Sequence, residues 1–292
     1  MKVAATGAVT VSTALLGVAM AGVAQAAPAP TPACTPNVGN SGLSAAVVAR
    51  PYQRIVDRTI NTSCDIGIYV GAGVSHVRID NVRVSGASFE GIFAQKTSYL
   101  TIENSTITGN GFKTTDPSAP ALPVTGVHSR VSQAFGISLF GVSYSEVSHN
   151  RVTDNGRGGI GLMDNGPNDP GTITQNTSAP LVSSSHDTVV DNRMSANYNG
   201  CGLVAATQNA GGRLSDLVLA GNTITGTGVS PTHGPDTGGL VVAADLPNSS
   251  VSNVIVSHNQ VTDSFEGGVI VNAEAFNSFT KSVRLIGNKF AG

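Results

Sequence analysis

Two aspartates are the residues of this sequence whose type and spacing best fit acid–base chemistry. Asp164 follows one glycine-led apolar stretch, and Asp245 follows the equivalent stretch two repeats later. If each repeat is one coil of a stack, at about 4.8 Å per coil, the two carboxyls lie roughly 10 Å apart. This separation is at or slightly beyond the upper end of that found in inverting glycosidases. The pair is therefore predicted to supply a catalytic acid and base, and the alternative is that both residues simply end strands and solvate turns.

Other polar side chains are expected near this pair. His128, Arg130 and His186 are candidates to assist catalysis, because imidazole transfers protons and guanidinium stabilises developing negative charge. His233 and Asp236 are predicted to contact substrate. His186 stands in a row otherwise held by small polar residues, which leaves a structural role open for it. The cysteines and histidines do not have the spacing of a metal site, and neither a metal nor another cofactor is predicted.

The elements that must position these residues repeat along the chain. One pattern consists of an apolar residue, two spacers, an asparagine, one spacer and an apolar residue, with its asparagines at Asn150, Asn192, Asn222, Asn259 and Asn288. A second pattern is a glycine followed by alternating apolar residues, at Gly67, Gly91, Gly136, Gly159, Gly202, Gly239 and Gly268. Period-two alternation predicts strands. The uninterrupted interval of 23 or 24 residues has room for three short strands and three bends.

The predicted fold class is all-β, a single-stranded right-handed parallel β-helix of about seven coils. Valine and isoleucine at alternate positions form a core only when coils stack on each other. Asparagines at one bend can form hydrogen bonds to each other along the stack. They also tolerate the left-handed backbone conformation that a sharp bend needs. We therefore interpret the repeated asparagines as structural.

Motifs such as Asn150-Arg-Val-Thr and Gly159-Ile-Gly-Leu resemble those of the pectate-lyase-like superfamily of right-handed β-helices. The resemblance covers about Cys64 to Phe290. It implies a fold shared by polysaccharide lyases, glycoside hydrolases, uronan epimerases and non-catalytic surface proteins, so it does not choose among these functions. For the enzymes, it also implies that the substrate binds over the glycine-led sheet.

Three insertions depart from the bare repeat, around residues 113–132, 164–185 and 227–237. Long loops on a rigid scaffold commonly carry function, and these three flank the glycine-led sheet on both sides. They are predicted to wall a groove whose floor is the outward face of that sheet. The floor residues predicted to bind substrate are Phe93, Phe140, Met163 and Val204. This mostly apolar floor lacks the arginine, lysine or metal ligand that a uronan lyase needs.

The chain is predicted to begin with a signal peptide at residues 1–26, which ends in a small-x-small cleavage site. A proline-rich leader at 27–40 and a β-helix domain at 41–292 follow. Within that domain, Ser41 to Arg50 is predicted to form a short helix that caps the first coil.

The cysteines and the charge balance restrict the environment and the partners. Cys34 and Cys64 are the predicted disulfide of an exported protein, whereas Cys201 is predicted to be a core thiol. With 16 Lys and Arg against 18 Asp and Glu, nucleic acid is not an expected partner. No segment after the signal peptide has transmembrane length. We predict a secreted protein.

Three functions from different classes remain open. The first, which we favour, is a carbohydrate-active enzyme, either a polysaccharide lyase or a glycoside hydrolase, acting in the groove. The second is a binding or catalytic pocket for an apolar small molecule on the floor. The third is a non-catalytic surface or assembly protein, with a homo-oligomer contact through the apolar sheet face or the last coil.

Overall fold

We analysed a computed structural model of the 292-residue chain. The structure describes residues 33–111, 135–166, 179–197, 200–228, 238–264 and 267–291. These residues form strands β1 to β25, numbered along the chain and arranged in three parallel sheets. Each coil adds one strand to every sheet, so the chain winds as a solenoid.

The sheets are lettered in the order in which a coil visits them. In spatial order, sheet A contains β1 (Ala45–Val48), β4 (Ile66–Val70), β7 (Glu90–Gln95), β10 (Phe135–Phe140), β13 (Gly158–Met163), β17 (Leu203–Ala206), β20 (Leu240–Ala244) and β23 (Val269–Ala273). Sheet B contains β2 (Arg54–Val56), β5 (Arg78–Asp80), β8 (Thr101–Glu103), β11 (Glu146–Ser148), β15 (Thr188–Val190), β18 (Arg213–Ala220), β21 (Ser250–Ser257) and β24 (Phe279–Ile286), and the short β14 (Ser184–Ser185) also pairs with β18. Sheet C contains β3 (Thr59–Asn61), β6 (Arg83–Ser85), β9 (Thr106–Thr108), β12 (Arg151–Thr153), β16 (Arg193–Ser195), β19 (Thr223–Thr225), β22 (Gln260–Thr262) and β25 (Lys289–Ala291).

The interior of the solenoid is one apolar core to which all three sheets contribute. The apolar residues of sheet A that directly follow the repeated glycines stack in register and are fully buried: Ile92, Ile137, Ile160, Leu203 and Leu240. The glycine before each of them occupies a position without room for a side chain. A Cβ on Gly159, for example, would lie 2.4 Å from the carbonyl oxygen of Gly202 in the next coil. The glycine repeat of the sequence therefore marks close approach between coils.

The corner between sheets B and C is the most regular part of the fold, with two residues in each coil. From the second coil onward the side chain of the second residue turns inward, and Asn192 is representative. Its Oδ1 accepts hydrogen bonds from the backbone N–H and the Nδ2 of Asn150, both at 3.0 Å. Its own Nδ2 donates to the carbonyl oxygens of Val147 and Val190 at 2.9 and 3.0 Å. The predicted asparagine ladder is thus confirmed, and it continues to Asn288.

The sequence patterns did not predict a second, shorter asparagine ladder, which lies at the corner between sheets C and A. It runs through Asn110, Asn155 and Asn197, each of whose Oδ1 atoms accepts a bond from the backbone of the preceding coil.

The predicted capping helix at Ser41–Arg50 is wrong. Part of this segment is strand β1, which pairs with β4 through Ala45 and Ile66 and gives sheet A its eighth strand. The open edge of β4 offers backbone partners, and pairing with it buries Ala45 completely. Two β-branched valines complete the strand, and tertiary pairing here outweighs the local helical tendency. The stack therefore has eight coils rather than about seven.

The end of the leader packs on the outer face of the first coils. The predicted disulfide between Cys34 and Cys64 is confirmed. Val38, in a short 3-10 turn at Val38–Asn40, and Leu43 are both buried in an apolar cluster outside sheet A. Cys201 is a buried thiol outside the disulfide, as predicted.

The three insertions lie at the corners that border sheet A, as the sequence predicts. The first and third join sheet C to sheet A, and the second joins sheet A to sheet B. Most of their residues lie outside the described parts of the chain, as do the predicted signal peptide and the first residues of the leader. The domain boundaries stay predictions. No helix among the described residues is long and apolar enough to cross a membrane.

The last coil exposes several large apolar side chains. Phe279, Leu285 and Phe290 are about half exposed, and Lys281 and Lys289 lie on the same strands. The oligomer contact predicted for this coil stays a prediction.

Candidate functional site

Asp164 lies directly after β13, at the start of the second insertion, and its side chain is fully buried. Its Oδ1 accepts a hydrogen bond from the backbone N–H of Gln208 at 2.5 Å, and its Oδ2 accepts one from Nδ2 of Asn209 at 2.7 Å. The carboxyl also packs against Gly212, where a Cβ would lie 2.6 Å from the carboxyl carbon. The corner of the next coil therefore holds this carboxyl in one orientation.

The environment of Asp164 changes its acidity. Burial raises the pKa of this carboxyl to about 6, because a buried carboxylate loses its hydration. The hydrogen bonds from Gln208 and Asn209 favour the ionised form and offset part of that effect. A carboxyl with a pKa near 6 holds its proton in mildly acidic conditions, which is the property that a general acid needs.

A line of buried polar side chains extends from Asp164 toward the first coils. Asn165 donates through Nδ2 to Oε1 of Gln95 at 3.4 Å, and Gln95 donates through Nε2 to Oη of Tyr69 at 2.6 Å. The backbone of Asn165 also exchanges two hydrogen bonds with Val182, which closes the base of the second insertion. We call Tyr69, Gln95, Asp164, Asn165 and Asn209 the polar row.

Asp245 lies at the same corner, one coil beyond the residues that bind Asp164. It follows β20 and is half-buried, and its backbone N–H donates to Oγ1 of Thr207 at 3.1 Å. Asp164 binds the neighbouring Gln208 from the other side. The structure therefore brings the two predicted aspartates to opposite sides of one coil. Their roles as acid and base stay predictions.

The outward face of sheet A has the predicted composition but is not exposed. The register confirms that Phe93, Phe140, Met163 and Val204 all point outward. The first three are at most 1% exposed, and Val204 is 7% exposed. Phe93 and Phe140 meet edge to face with ring centroids 5.7 Å apart. These residues form a second apolar layer outside the coil, and their assignment to substrate binding stays a prediction.

His186 belongs to an exposed corner rather than to the polar row. The prediction that its row otherwise holds small polar residues is wrong, because Ser75 and Ser98 align with Ser185 and the ring of Tyr144 lies next to His186. Its ring stacks on that of Tyr144 with centroids 4.7 Å apart, and its Nε2 lies 3.9 Å from Oδ2 of Asp216. The structure gives it no contact with Asp164, within the part of the chain that it describes. His128, Arg130, His233 and Asp236 lie outside the described residues. The catalytic or binding roles of all five stay predictions.

Asp187, which follows His186 at the end of the second insertion, is another buried acid. It stands inside the coil, immediately before β15, where neighbouring coils place Leu100, Ser145 and Leu217. Burial raises the pKa of its carboxyl to about 7. A charged residue at an interior position that is otherwise largely apolar could have indicated this buried acid from the sequence. The second insertion, however, obscures how this coil aligns with its neighbours.

The described residues contain no cluster of three or more His, Cys, Asp or Glu side chains able to hold a metal ion. Separately, the buried carboxyl of Asp164 can transfer a proton, within a polar row that borders an apolar sheet face.

Three stacked parallel sheets with a side-chain ladder inside one corner define a parallel β-helix. The chain belongs to the right-handed β-helix family, because a family model described as "Right handed beta helix region" matches residues 44–283. No curated protein matches the chain in sequence.

Several solved structures resemble the chain in fold at low identity. An alginate lyase from Paenibacillus sp. str. FPU-7 is 15% identical, with 85% of this chain and 86% of that chain covered and a TM-score of 0.40. A hyperthermoactive exopolygalacturonase from Thermotoga maritima is 12% identical, with 74% and 55% covered and a TM-score of 0.37. The A-module of a mannuronan C-5 epimerase from Azotobacter vinelandii is 15% identical, with 86% and 71% covered and a TM-score of 0.35. At these scores the likenesses carry no argument about activity.

Proposed function

We propose that the protein is a secreted glycoside hydrolase in which Asp164 is the general acid and Asp245 the general base. The observation that carries this proposal is the Asp164 carboxyl, which is buried, held by two hydrogen bonds and shifted to a pKa of about 6. Two coils separate the two aspartates, which corresponds to roughly 10 Å at the ordinary strand spacing. Inverting hydrolases place a water molecule between carboxyls that are widely separated in this way.

The chemistry of the surrounding surface favours hydrolysis over elimination. A lyase acting on a uronan must neutralise the carboxylate of its substrate, and arginine, lysine or a metal ion does so. The described outward positions of sheet A hold aromatic, aliphatic, small polar and amide side chains and the buried carboxyl of Glu90, but no arginine or lysine. We therefore propose a neutral glycan as the substrate class.

Two further features bear on this proposal. The disulfide between Cys34 and Cys64 supports export, because disulfides persist in oxidising compartments. The apolar side chains outside sheet A pack on each other, which gives less support to a pocket for an apolar ligand. Because Asp164 is fully buried, a substrate reaches it only after the residues that cover it move aside.

The test is to compare the mature wild-type protein with Asp164→Asn and Asp245→Asn on a panel of neutral and acidic polysaccharides. Release of reducing ends identifies hydrolysis, and absorbance of an unsaturated uronide identifies elimination. Each variant is expected to lose 10²- to 10⁴-fold in rate, the usual contribution of a general acid or base. Asp191→Asn is a matched control, because Asp191 is an exposed corner aspartate. Equal turnover in the wild type and both variants, or no turnover by the wild type on any glycan, would refute the proposal.

A further inference from the structure

A row of stacked rings runs along the exposed corner between sheets A and B. It consists of Tyr52, His76, Tyr99, Tyr144 and His186, one residue in each of five consecutive coils, and we call it the aromatic strip. Successive ring centroids are 4.8, 4.6, 5.3 and 4.7 Å apart, with interplanar angles between 12° and 21°. Tyr52 is 73% exposed, and Tyr99 and Tyr144 are about half exposed.

The backbone of the strip is unusual for residues of this size. All five residues have φ between 53° and 61°, in the left-handed region that glycine and asparagine adopt most easily. The last three coils place Asp216, Asn253 and Ser282 at the equivalent bend. Bulky rings held in this conformation on an exposed surface therefore point to a function.

The strip presents ring edges, because each inner ring has its faces covered by its neighbours. The edges carry phenol oxygens and imidazole nitrogens, which both donate and accept hydrogen bonds. The result is a straight line of polar atoms on an apolar stack, repeated once per coil. A ligand that matches this line must itself repeat at the interval of one coil.

We propose that the aromatic strip binds an extended neutral polysaccharide lying parallel to the axis of the coils. A pyranose chain linked across its rings advances by about one ring width per residue, which is close to the spacing of the strip. An extended polypeptide fits less well, since it repeats at about 3.3 Å per residue and at about twice that on one side. The strip is thus a surface for holding a polymer, distinct from the proton-transfer chemistry proposed at the polar row.

The charges beside the strip are mixed: Arg50 and Arg54 are exposed next to Tyr52, whereas the charges further along the strip favour a neutral ligand over an anionic one. On sheet B, Arg78 is already paired with Asp80 at 3.2 Å and with Glu103 at 2.7 Å. The strip ends at Asp216, which lies 3.9 Å from His186. An acidic glycan would find an aspartate at this end and an arginine whose charge is already compensated.

The surface continues beyond the strip in the same direction. Asp216 also lines an open concavity of about 560 Å³, together with Val218, Asn253, Ile255 and Arg284. Its apolar side chains and flanking polar groups suit a sugar ring, whose faces are apolar and whose rim carries hydroxyls. The strip in the first five coils and this concavity in the last three together form a track across all eight coils.

Tyrosine fluorescence provides a direct test, because the chain has no Trp and three of its five Tyr belong to the strip. The probes are cellohexaose, mannohexaose and xylohexaose, with hexagalacturonate and an unstructured hexapeptide as comparisons. At least one neutral hexasaccharide is expected to change the emission of the wild-type protein saturably. The double variant Tyr99→Asn, Tyr144→Asn is expected to bind that probe at least tenfold more weakly by calorimetry. Asparagine keeps the left-handed bend accessible, as Asn253 does at the same corner.

The matched control is the double variant His149→Asn, His258→Asn. Like Tyr99 and Tyr144, these two histidines are exposed and have a left-handed backbone. They lie, however, at the corner between sheets B and C. The control is expected to bind like the wild type. The proposal is overturned if no neutral probe binds, if only the peptide or the acidic probe binds, or if a folded Tyr99→Asn, Tyr144→Asn protein keeps wild-type affinity. Failure of the proposed hydrolase would look different, because Asp164→Asn would still bind the probe while no protein turned it over.

Discussion

Oδ1 of Asp187 accepts a hydrogen bond from the backbone N–H of Ser145, 2.9 Å away in the preceding coil. Ser145 makes the same kind of bond one coil further back, where its Oγ accepts the N–H of Leu100 at 3.3 Å. Asp187 therefore fills a place inside the coil that a neutral side chain could fill, and its Oδ2 is buried there as well. A protonated carboxyl, or an asparagine, suits this position better than a carboxylate does.

Asp187→Asn is expected to stabilise the protein at pH 8 and to have little effect at pH 4. The pKa of Asp187 is raised from 3.8 to about 7 in the fold, so the folded state binds this proton more tightly than the unfolded state. The resulting stability is complete below about pH 4 and is lost as the pH rises to about 7, with an upper limit on the order of 4 kcal/mol. Urea unfolding at several pH values measures this difference. Parallel pH profiles for the variant and the wild type would contradict the expectation, and Asp191→Asn serves as the exposed control.

Asn192→Ala is expected to lower the free energy of unfolding by about 3 kcal/mol or more, since it leaves several buried donors and acceptors without partners. The groups affected are the N–H and Nδ2 of Asn150 and the carbonyl oxygens of Val147 and Val190. Thermal and urea unfolding followed by circular dichroism provide the measurement. Asn61→Ala, at an exposed strand residue, should change stability by no more than about 0.5 kcal/mol. Similar losses of unfolding free energy in the two variants would contradict a specific contribution of the ladder hydrogen bonds to stability.

Gly159→Ala is expected to destabilise the protein by about 1–3 kcal/mol or to prevent folding, because the added methyl group cannot be accommodated between coils. Its Cβ would meet the Gly202 carbonyl oxygen at 2.4 Å, and backbone cannot move aside as a flexible side chain can. The contrasting variant is Gly73→Asn, where φ is 75° and no atom lies within 4 Å of the added Cβ. Soluble yield and melting temperature are measured for both variants, and both are expected to fall only for Gly159→Ala. Equal values for the two variants would argue against close approach between coils as the reason for the glycine repeat.

The proposed general acid sets the pH dependence of turnover. Since Asp164 must be protonated to donate, kcat/KM on a neutral glycan is expected to fall about tenfold per pH unit above a pKa of about 6. The profile of Asp164→Asn should lack this limb, whatever activity remains. A wild-type profile that stays flat from pH 5 to 8 would exclude Asp164 as the acid.

The sequence was sufficient to predict the architecture, because the determinants of the fold recur once per coil. Alternation assigned Ile160 and Leu203 to the interior, and the repeated asparagines marked the corner at Asn192. The segment beginning at Ser41 was mispredicted as a helix, since its alanines favour a helix locally and only the open edge of β4 makes it a strand.

The site was harder to predict, for two physical reasons. Alternation shows that Phe93 and Met163 point outward, but it does not show what covers them, and both are buried. The aromatic strip was missed because its members, which are 24, 23, 45 and 42 residues apart, mix tyrosine with histidine and share no flanking motif such as the one that marks the asparagines. Stacking of the coils brings Tyr99 and Tyr144 to ring centroids 5.3 Å apart, a relationship that exists only in three dimensions.

The corner between sheets B and C keeps the same two-residue length through all eight coils, whereas both corners that border sheet A vary. In cross-section, therefore, the molecule has one corner of constant length and two corners of variable length, which we call the margins. Changes in length accumulate only at the margins, so a coil can gain residues there without disturbing the register of the stack. Asp164, Asp245 and the aromatic strip all lie on the margin between sheets A and B, so this solenoid is free to diversify on the side where its recognition and chemistry are proposed to occur.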